Sequence, residues 1–308
     1  MKKVIFDVDT GIDDAMAIAY AVNSPELDII GLTTCYGNVA VDEATRNTLA
    51  VLEKLGRNIP VFAGADKPLN RNPREGFAKH VHGEDGLGNV LDFEPQTSAK
   101  SEYAVDYIIE QVKKLPHEVT IIAVGPLTNL ALAVQKAPEI VELVSDVVIM
   151  GGAVFVPGNV NPYAEANIFT DPEAAEVVFA SGLPITLVGL DVTMQTLLPR
   201  QNVDAWRNAG SEVGEFFANM VSFYHDFYEC ANPGIGGCGL HDPLAVGVAI
   251  DPSLVKTNYI GVGVITEGEE DGRTVPLSEE EEPKINVCTE VDAPRFLEHF
   301  LKRMPAGQ

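Results

Sequence analysis

Short apolar runs alternate with stretches of helical period along most of the chain. The run that begins at Val4, and residues 28–34, 60–63, 119–124, 146–150 and 185–190, read as strands. Near-continuous apolar character marks strands buried on both faces, as in a parallel sheet. Helical stretches lie between them. The first starts at Asp13, with Met16, Ala17, Ala19 and Tyr20 on its apolar face. Others cover 41–55, with Asp42 as its cap, 101–115, the stretch opened by 125–129 and running to about 135, 138–144 and 171–180. Strand and helix in alternation predict an α/β fold with a parallel sheet. Neither a repeat nor a linker interrupts the pattern, so residues 1–308 read as one domain.

Four stretches depart from this rhythm. Residues 64–96 are irregular and contain His82 among glycines; an unstructured loop of that length inside a domain is usually functional, and His82 reads as a mobile contact residue. Residues 151–169 form a second loop carrying Asn159, Asn161, Glu165 and Asn167. Amides and a carboxylate near strand ends suit sugar hydroxyls, although asparagine is also common in turns. Residues 200–230 are helical and aromatic, with Tyr224 and Tyr228 four apart and able to reach one ligand. Glycine-rich 232–240 then precedes His241-Asp242-Pro243, where Pro243 fits a first helical turn. Further on, strands are expected at 258–265, near 274–277 and at 284–288, and a last helix at 292–302. Acidic patches at 267–271 and 279–282 read as solvated loops.

The densest chemistry sits where the first strand gives way, through Gly11, to the first helix. Asp7, Asp9, Asp13 and Asp14 gather there. Ligands of open α/β sheets bind outside the carboxyl ends of strands. Helix capping explains one or two of these aspartates. A hard cation with oxygen ligands accounts for the whole group.

Charge narrows the partners. The formal net charge is −24, from 45 acids and 21 bases. Such a chain is a poor match for nucleic acid or an anionic membrane. A neutral or cationic small ligand, or a cation, suits it. Cys35, Cys230, Cys238 and Cys288 form no Cys-x-x-Cys pair, and reduced thiols of a cytoplasmic protein are expected. Only three apolar residues separate Lys2-Lys3 from Asp7, so no signal peptide is expected.

The stretch Asp7-Val8-Asp9-Thr10-Gly11-Ile12-Asp13-Asp14-Ala15 resembles the N-terminal signature of the inosine–uridine-preferring nucleoside hydrolases. Tyr36-Gly37-Asn38, Gly125-Pro126-Leu127-Thr128-Asn129, Gly158-Asn159 with Ala164-Glu165-Ala166-Asn167, and His241-Asp242-Pro243 follow in that family's order. The resemblance implies a single α/β domain with a mixed, mainly parallel, Rossmann-like sheet. It implies one calcium ion held by Asp9, Asp14, Asp242 and the carbonyl of Val124. Asp13, Asn38, Asn159, Glu165 and Asn167 would hold a ribose, and Met150 would pack under it. His82, His241 and Tyr228 would lie near the base, Asp9 would activate water, and His241 would protonate the leaving group. Asp7 would support the site without touching metal. Residues 64–96 would be an active-site loop, and 200–240 a helical region lining the base pocket. The expected activity is hydrolysis of ribonucleosides to ribose and base by a homodimer or homotetramer.

Two other classes compete. A haloacid dehalogenase-type phosphohydrolase would use Asp7 as nucleophile, but it favours Thr or Val where this chain has Gly11. It also leaves Asp13-Asp14 without a role. A non-catalytic sugar- or nucleoside-binding protein would lack the water-activating aspartate or the acid, and both are present.

Overall fold

The apolar run at Val4 lies within β1 (Lys2–Val8), the strand about which the sheet is arranged. The structure, a computed structural model, describes residues 1–74, 76–278 and 283–304. After β1 come α1 (Ile12–Val22), β2 (Leu27–Thr34), α2 (Val41–Lys54), β3 (Val61–Ala63) and α3 (Lys79–His82). The middle of the chain supplies α4 (Ala104–Lys114), β4 (Val119–Ala123), α5 (Thr128–Lys136), β5 (Asp146–Met150), α6 (Ala166–Thr170), α7 (Pro172–Phe179) and β6 (Ile185–Val188). Then follow α8 (Leu190–Thr193), β7 (Leu197–Pro199), α9 (Arg200–Asn208), α10 (Glu212–Ala231), β8 (Gly237–Gly239) and α11 (His241–Ile250). The last elements are β9 (Val255–Ile260), β10 (Val262–Val264), β11 (Thr274–Pro276), β12 (Ile285–Val291) and α12 (Ala293–Leu301).

The main sheet has the order β3-β2-β1-β4-β5-β6-β12-β9. Every neighbouring pair is parallel except β12 and β9, which makes the sheet mixed but mainly parallel. The chain leaves β1 for β2 on one side, and β4 later joins β1 on the other. That reversal opens a crevice at the carboxyl ends of β1 and β4, where open α/β sheets bind ligands.

Alternate residues of β1 serve opposite faces. Val4, Phe6 and Val8 pack with α1, α10 and α11, while Ile5 packs with α4, α5 and α7. Phe6 is fully buried, and truncation to Ala would cost about 3–5 kcal/mol. Helices α1 and α11 are buried almost throughout, which explains their apolar composition on every side.

Several boundaries differ from the sequence reading. The strand expected at 258–265 is two strands divided at Gly261: β9 closes the main sheet, and β10 pairs with β11 in a separate hairpin. The helix expected over 200–230 is α9 and α10, broken around Gly210 at φ 74°. Strand β6 ends at Val188, and residues 190–193 turn at once into α8. Asp42 does not cap α2; Ala40 stands at the cap, and Glu43 accepts from its N–H at 3.3 Å. The patch 267–271 is not simply solvated, because Asp271 accepts from Arg71 at 2.7 Å and from Arg74 at 2.7 Å. The patch 279–282 lies outside the described residues.

Candidate active site

Helices α1 and α11 pack side by side, and their N-termini bring acids from distant parts of the chain together. One oxygen from each of Asp13, Asp14 and Asp242 lies within 4.8 Å of the others, and all three residues are buried. Asp14 also closes the turn after β1. Its Oδ1 accepts from the Asp9 N–H at 3.1 Å, and its Oδ2 from the Gly11 N–H at 2.9 Å and the Asn38 amide at 3.1 Å. Capping thus fixes the same carboxylate that joins the cluster.

Asp9 is held differently. Its Oδ2 accepts from the Asn38 N–H at 2.7 Å, while its buried Oδ1 has no hydrogen-bond partner. A Cβ on Gly37 would stand 2.0 Å from Oδ2, and one on Gly125 would stand 2.9 Å from Oδ1. Only glycine permits both approaches. The resemblance grouped Asp9 with Asp14 and Asp242 and assigned Asp13 to the sugar. The structure draws Asp13 in among the clustered oxygens and turns the Asp9 carboxylate toward Gly37 and Asn38.

Burial pushes Asp9 and Asp242 well above the usual carboxylate range. Burial, then the charge of Asp14, raises Asp13 to about 8, and burial raises Asp14 as well. Acids this close and this dry cannot all ionise alone. An all-oxygen donor set with an unpartnered oxygen on Asp9 fits a hard divalent cation.

Of the residues expected at the sugar, Asn167 and Glu165 are buried and Asn159 is not. The Asn167 amide donates to Val124 O at 2.7 Å and to Met150 O at 3.2 Å, and lies 3.4 Å from Met150 Sδ. Glu165 caps α6 by accepting from the Asn167 and Ile168 N–H groups at 2.9 and 3.2 Å, and it accepts from the Gly152 N–H at 2.9 Å. Asn159 is exposed, with its Oδ1 bound to the Ala166 N–H at 3.0 Å. Asn161 serves its own turn, accepting from Tyr163 and Ala164 at 2.8 Å each. The side chain of Asn38 is engaged with Asp14, so it positions an acid.

On the other side of the cluster, His241 begins α11. Its Nε2 bonds the Tyr228 hydroxyl, and its Nδ1 lies 2.8 Å from Thr193 Oγ1. Burial pushes its pKa down to about 4. His82 is not the mobile contact expected. It is buried on α3, and its Nδ1 accepts the Ile12 N–H at 3.0 Å, taking one of the unpaired donors at the start of α1. It also stacks on Tyr224, at 5.7 Å between ring centroids. The residues after it fold around Asp85, whose carboxylate accepts from the Leu87, Asn89 and Leu91 N–H groups at 2.7, 2.8 and 2.9 Å. Asn47 ties this turn to the acid motif by donating to both Asp85 O and Thr10 O.

Asp7 points away from the cluster. Its Oδ1 accepts from Thr33 at 2.5 Å and from the Asn129 amide at 2.8 Å, and burial raises its pKa to about 6. With its Oδ1 held by two donors and its carboxylate outside the acid cluster, Asp7 gives the phosphohydrolase reading no support. Asn129, Thr193, Asp191, Thr274 and Asn47 all support the site without having been assigned a role from sequence. Each acts through a partner far along the chain, and only Asn129 lay inside a recognisable motif.

A switch-point crevice lined by buried carboxylates, with Glu165 and Asn167 near it, agrees with the nucleoside hydrolase resemblance. The chain belongs to the inosine-uridine preferring nucleoside hydrolase family, whose family model matches residues 4–298. It is 40% identical to a probable uridine nucleosidase of Arabidopsis thaliana, over 98% of this chain and 97% of the relative. It is 38% identical to a pyrimidine-specific ribonucleoside hydrolase of Citrobacter koseri, over 98% and 97%. Its structure is similar to that of a purine-preferring ribonucleoside hydrolase from Gardnerella vaginalis, with TM-score 0.96, 44% identity, and 99% and 98% of the two chains covered. The protein is a ribonucleoside-hydrolysing enzyme. Among the described residues no helix is long and apolar enough to cross a membrane.

Proposed function

We propose that the enzyme cleaves the N-glycosidic bond of ribonucleosides by direct attack of water, through an oxocarbenium-like transition state, with one calcium ion per chain. The observation that carries this reading is the convergence of Asp13, Asp14 and Asp242 beside a buried, unpartnered oxygen of Asp9. Asp9, Asp14, Asp242 and the carbonyl of Val124 would hold the ion, with Asp13 among them. Calcium would supply a lowered pKa to a water bound there.

The chain's own groups supply the rest. Asp9 takes the proton from the attacking water. Asp13, Asn159, Glu165 and Asn167 hold the ribose, Asn38 steadies Asp14 beside it, and Met150 packs beneath it. Oxygens on this side stabilise the positive charge that develops on the ring. His241, oriented by Tyr228 and Thr193, delivers a proton to the leaving base. Attack from the face opposite the base gives inversion. Residues 64–96 serve as the active-site loop that brings His82 to the cleft, and 200–240 line the base side through Tyr224 and Tyr228.

The relatives' names divide between uridine, pyrimidine and purine nucleosides, so the assay uses all of them. Reducing-sugar release is measured on uridine, cytidine, inosine and adenosine, with and without chelator, followed by calcium. Activity lost to chelator and restored by calcium is expected. Full activity in metal-free protein overturns the calcium assignment, and absence of sugar release from every nucleoside overturns the reaction. Four free cysteines fit a reducing cytoplasm. A homodimer or homotetramer is expected by light scattering.

A further inference from the structure

The loop that follows β5 runs Gly151-Gly152-Ala153-Val154-Phe155 beside the candidate ribose site. Four successive backbone N–H groups in it are each taken by a side chain. Gly152 donates to Glu165 Oε2 at 2.9 Å and Ala153 to Thr274 Oγ1 at 2.9 Å. Val154 donates to Asp191 Oδ2 at 3.0 Å and Phe155 to Asp191 Oδ1 at 2.8 Å. The acceptors come from three separate elements: the cap of α6, β11 and α8. Thr274 is 1% exposed and Asp191 is 7% exposed.

The backbone cannot take this shape freely. Gly152 has φ 78°, and a Cβ there would stand 3.1 Å from Thr274 Cγ2. The Leu190 N–H donates to Gly152 O at 2.9 Å, which pins the same peptide from the other side. Glu165 depends on this loop for one of its donors, and that donor is Gly152. The β10–β11 hairpin also backs directly onto α6, since a Cβ on Gly272 would meet the Phe169 backbone at 2.8 Å.

We propose that Thr274 and Asp191 are positioning residues for the sugar side of the site, acting through the Gly152 N–H on the carboxylate of Glu165. The proposal rests on the reading that Glu165 holds a ribose hydroxyl. Thr274 anchors Ala153 and Asp191 anchors the next two peptides, so the Gly152 N–H is aimed before any sugar arrives. The hairpin, which has no residue among those assigned to substrate, thereby enters the specificity of the enzyme.

The test is a double-mutant cycle in the calcium-loaded, full-length enzyme. Thr274→Val keeps the volume and removes the acceptor; Thr274→Ser keeps the acceptor. Thr274→Val is expected to lower kcat/KM on uridine or inosine by about fivefold to tenfold, the scale of one lost hydrogen bond, and Thr274→Ser to restore it. In a Glu165→Gln background Thr274→Val should cost far less, because contacts acting through one group are not additive. Asp191→Asn, which removes one of two acceptors, should show the same coupling and serves if Thr274→Val does not fold. Equal effects in both backgrounds, or failure of Thr274→Ser to restore activity, overturn the proposal. Glu165→Gln that leaves ribonucleoside kinetics unchanged overturns instead the reading that Glu165 binds the sugar.

Discussion

The two sides of the cleft are held by different kinds of contact. On the acid side, backbone N–H groups hold the carboxylates: Asp14 by the nearby Asp9 and Gly11, and Asp9 by the more distant Asn38, whose side-chain amide also reaches Asp14. Near His241 the holding groups are side chains: Tyr228 bonds one ring nitrogen and Thr193 the other, while the His82 ring takes the Ile12 N–H at the start of α1. Backbone donors move only when the chain itself moves. A side-chain pair can be lost by one substitution and leave the fold intact. On the function proposed above, the acid side would serve every substrate and the base side would be where preference can drift.

The largest effect should come from Asp9→Ala, with a loss of about a hundred- to ten-thousand-fold in kcat on every nucleoside and on p-nitrophenyl riboside. Steady-state kinetics with calcium content measured alongside would show it, and activity preserved on any one substrate would break the comparison. His241→Ala should cost about a hundredfold on uridine or inosine and leave p-nitrophenyl riboside nearly unchanged, because nitrophenolate departs without a proton. Equal losses on both would make His241 a structural partner of Asp242.

Acidity separates the sides next. Calcium binding needs ionised carboxylates, and burial with the Asp14 charge raises Asp13 to about 8. Calcium affinity should therefore weaken by about tenfold or more between pH 8 and pH 6, read by calorimetric titration. His82 works in the opposite sense, since burial lowers its pKa to about 3. The unfolded chain takes up this proton near the ordinary histidine value, and the native state does so only in stronger acid. Native stability from His82 is thus present at neutral pH and lost as pH falls from about 6.5 toward 3. His82→Gln should flatten the difference in urea stability between pH 7 and pH 5, and an unchanged slope would remove His82 from the account. The smallest effect belongs to the turn after α3. Asp85→Asn should cost about 1 kcal/mol and speed proteolysis of residues 83–91, with kcat on nitrophenyl riboside unaltered.

The same contrast explains what could be read before the structure. Strands β1, β2, β4, β5 and β6 are apolar runs buried on both faces, so composition alone marks them. Strands β7 and β8 have three residues each, and α3, α6 and α8 have four or five, too short to show any period. The acid side was legible because its residues crowd into one motif, with Asp242 supplied by a second. The contacts on the base side were not, because nothing around Thr193 signals a partner forty-eight positions away. His82 was misjudged for a related reason. The glycines around it imply freedom, but the Ile12 N–H, seventy positions away, engages its ring.

Gly37 and Gly125 carry one more consequence. The Asp9 carboxylate fills the space where side chains on Gly37 and Gly125 would otherwise stand. Main chain therefore lies close to both of its oxygens, and the Asn38 N–H holds one of them. The carboxylate's orientation is settled when the protein folds and need not be found again in each catalytic cycle, so little reorganisation accompanies proton transfer. As the base proposed above, Asp9 would come already aimed, and two missing methyl groups make room for that aim.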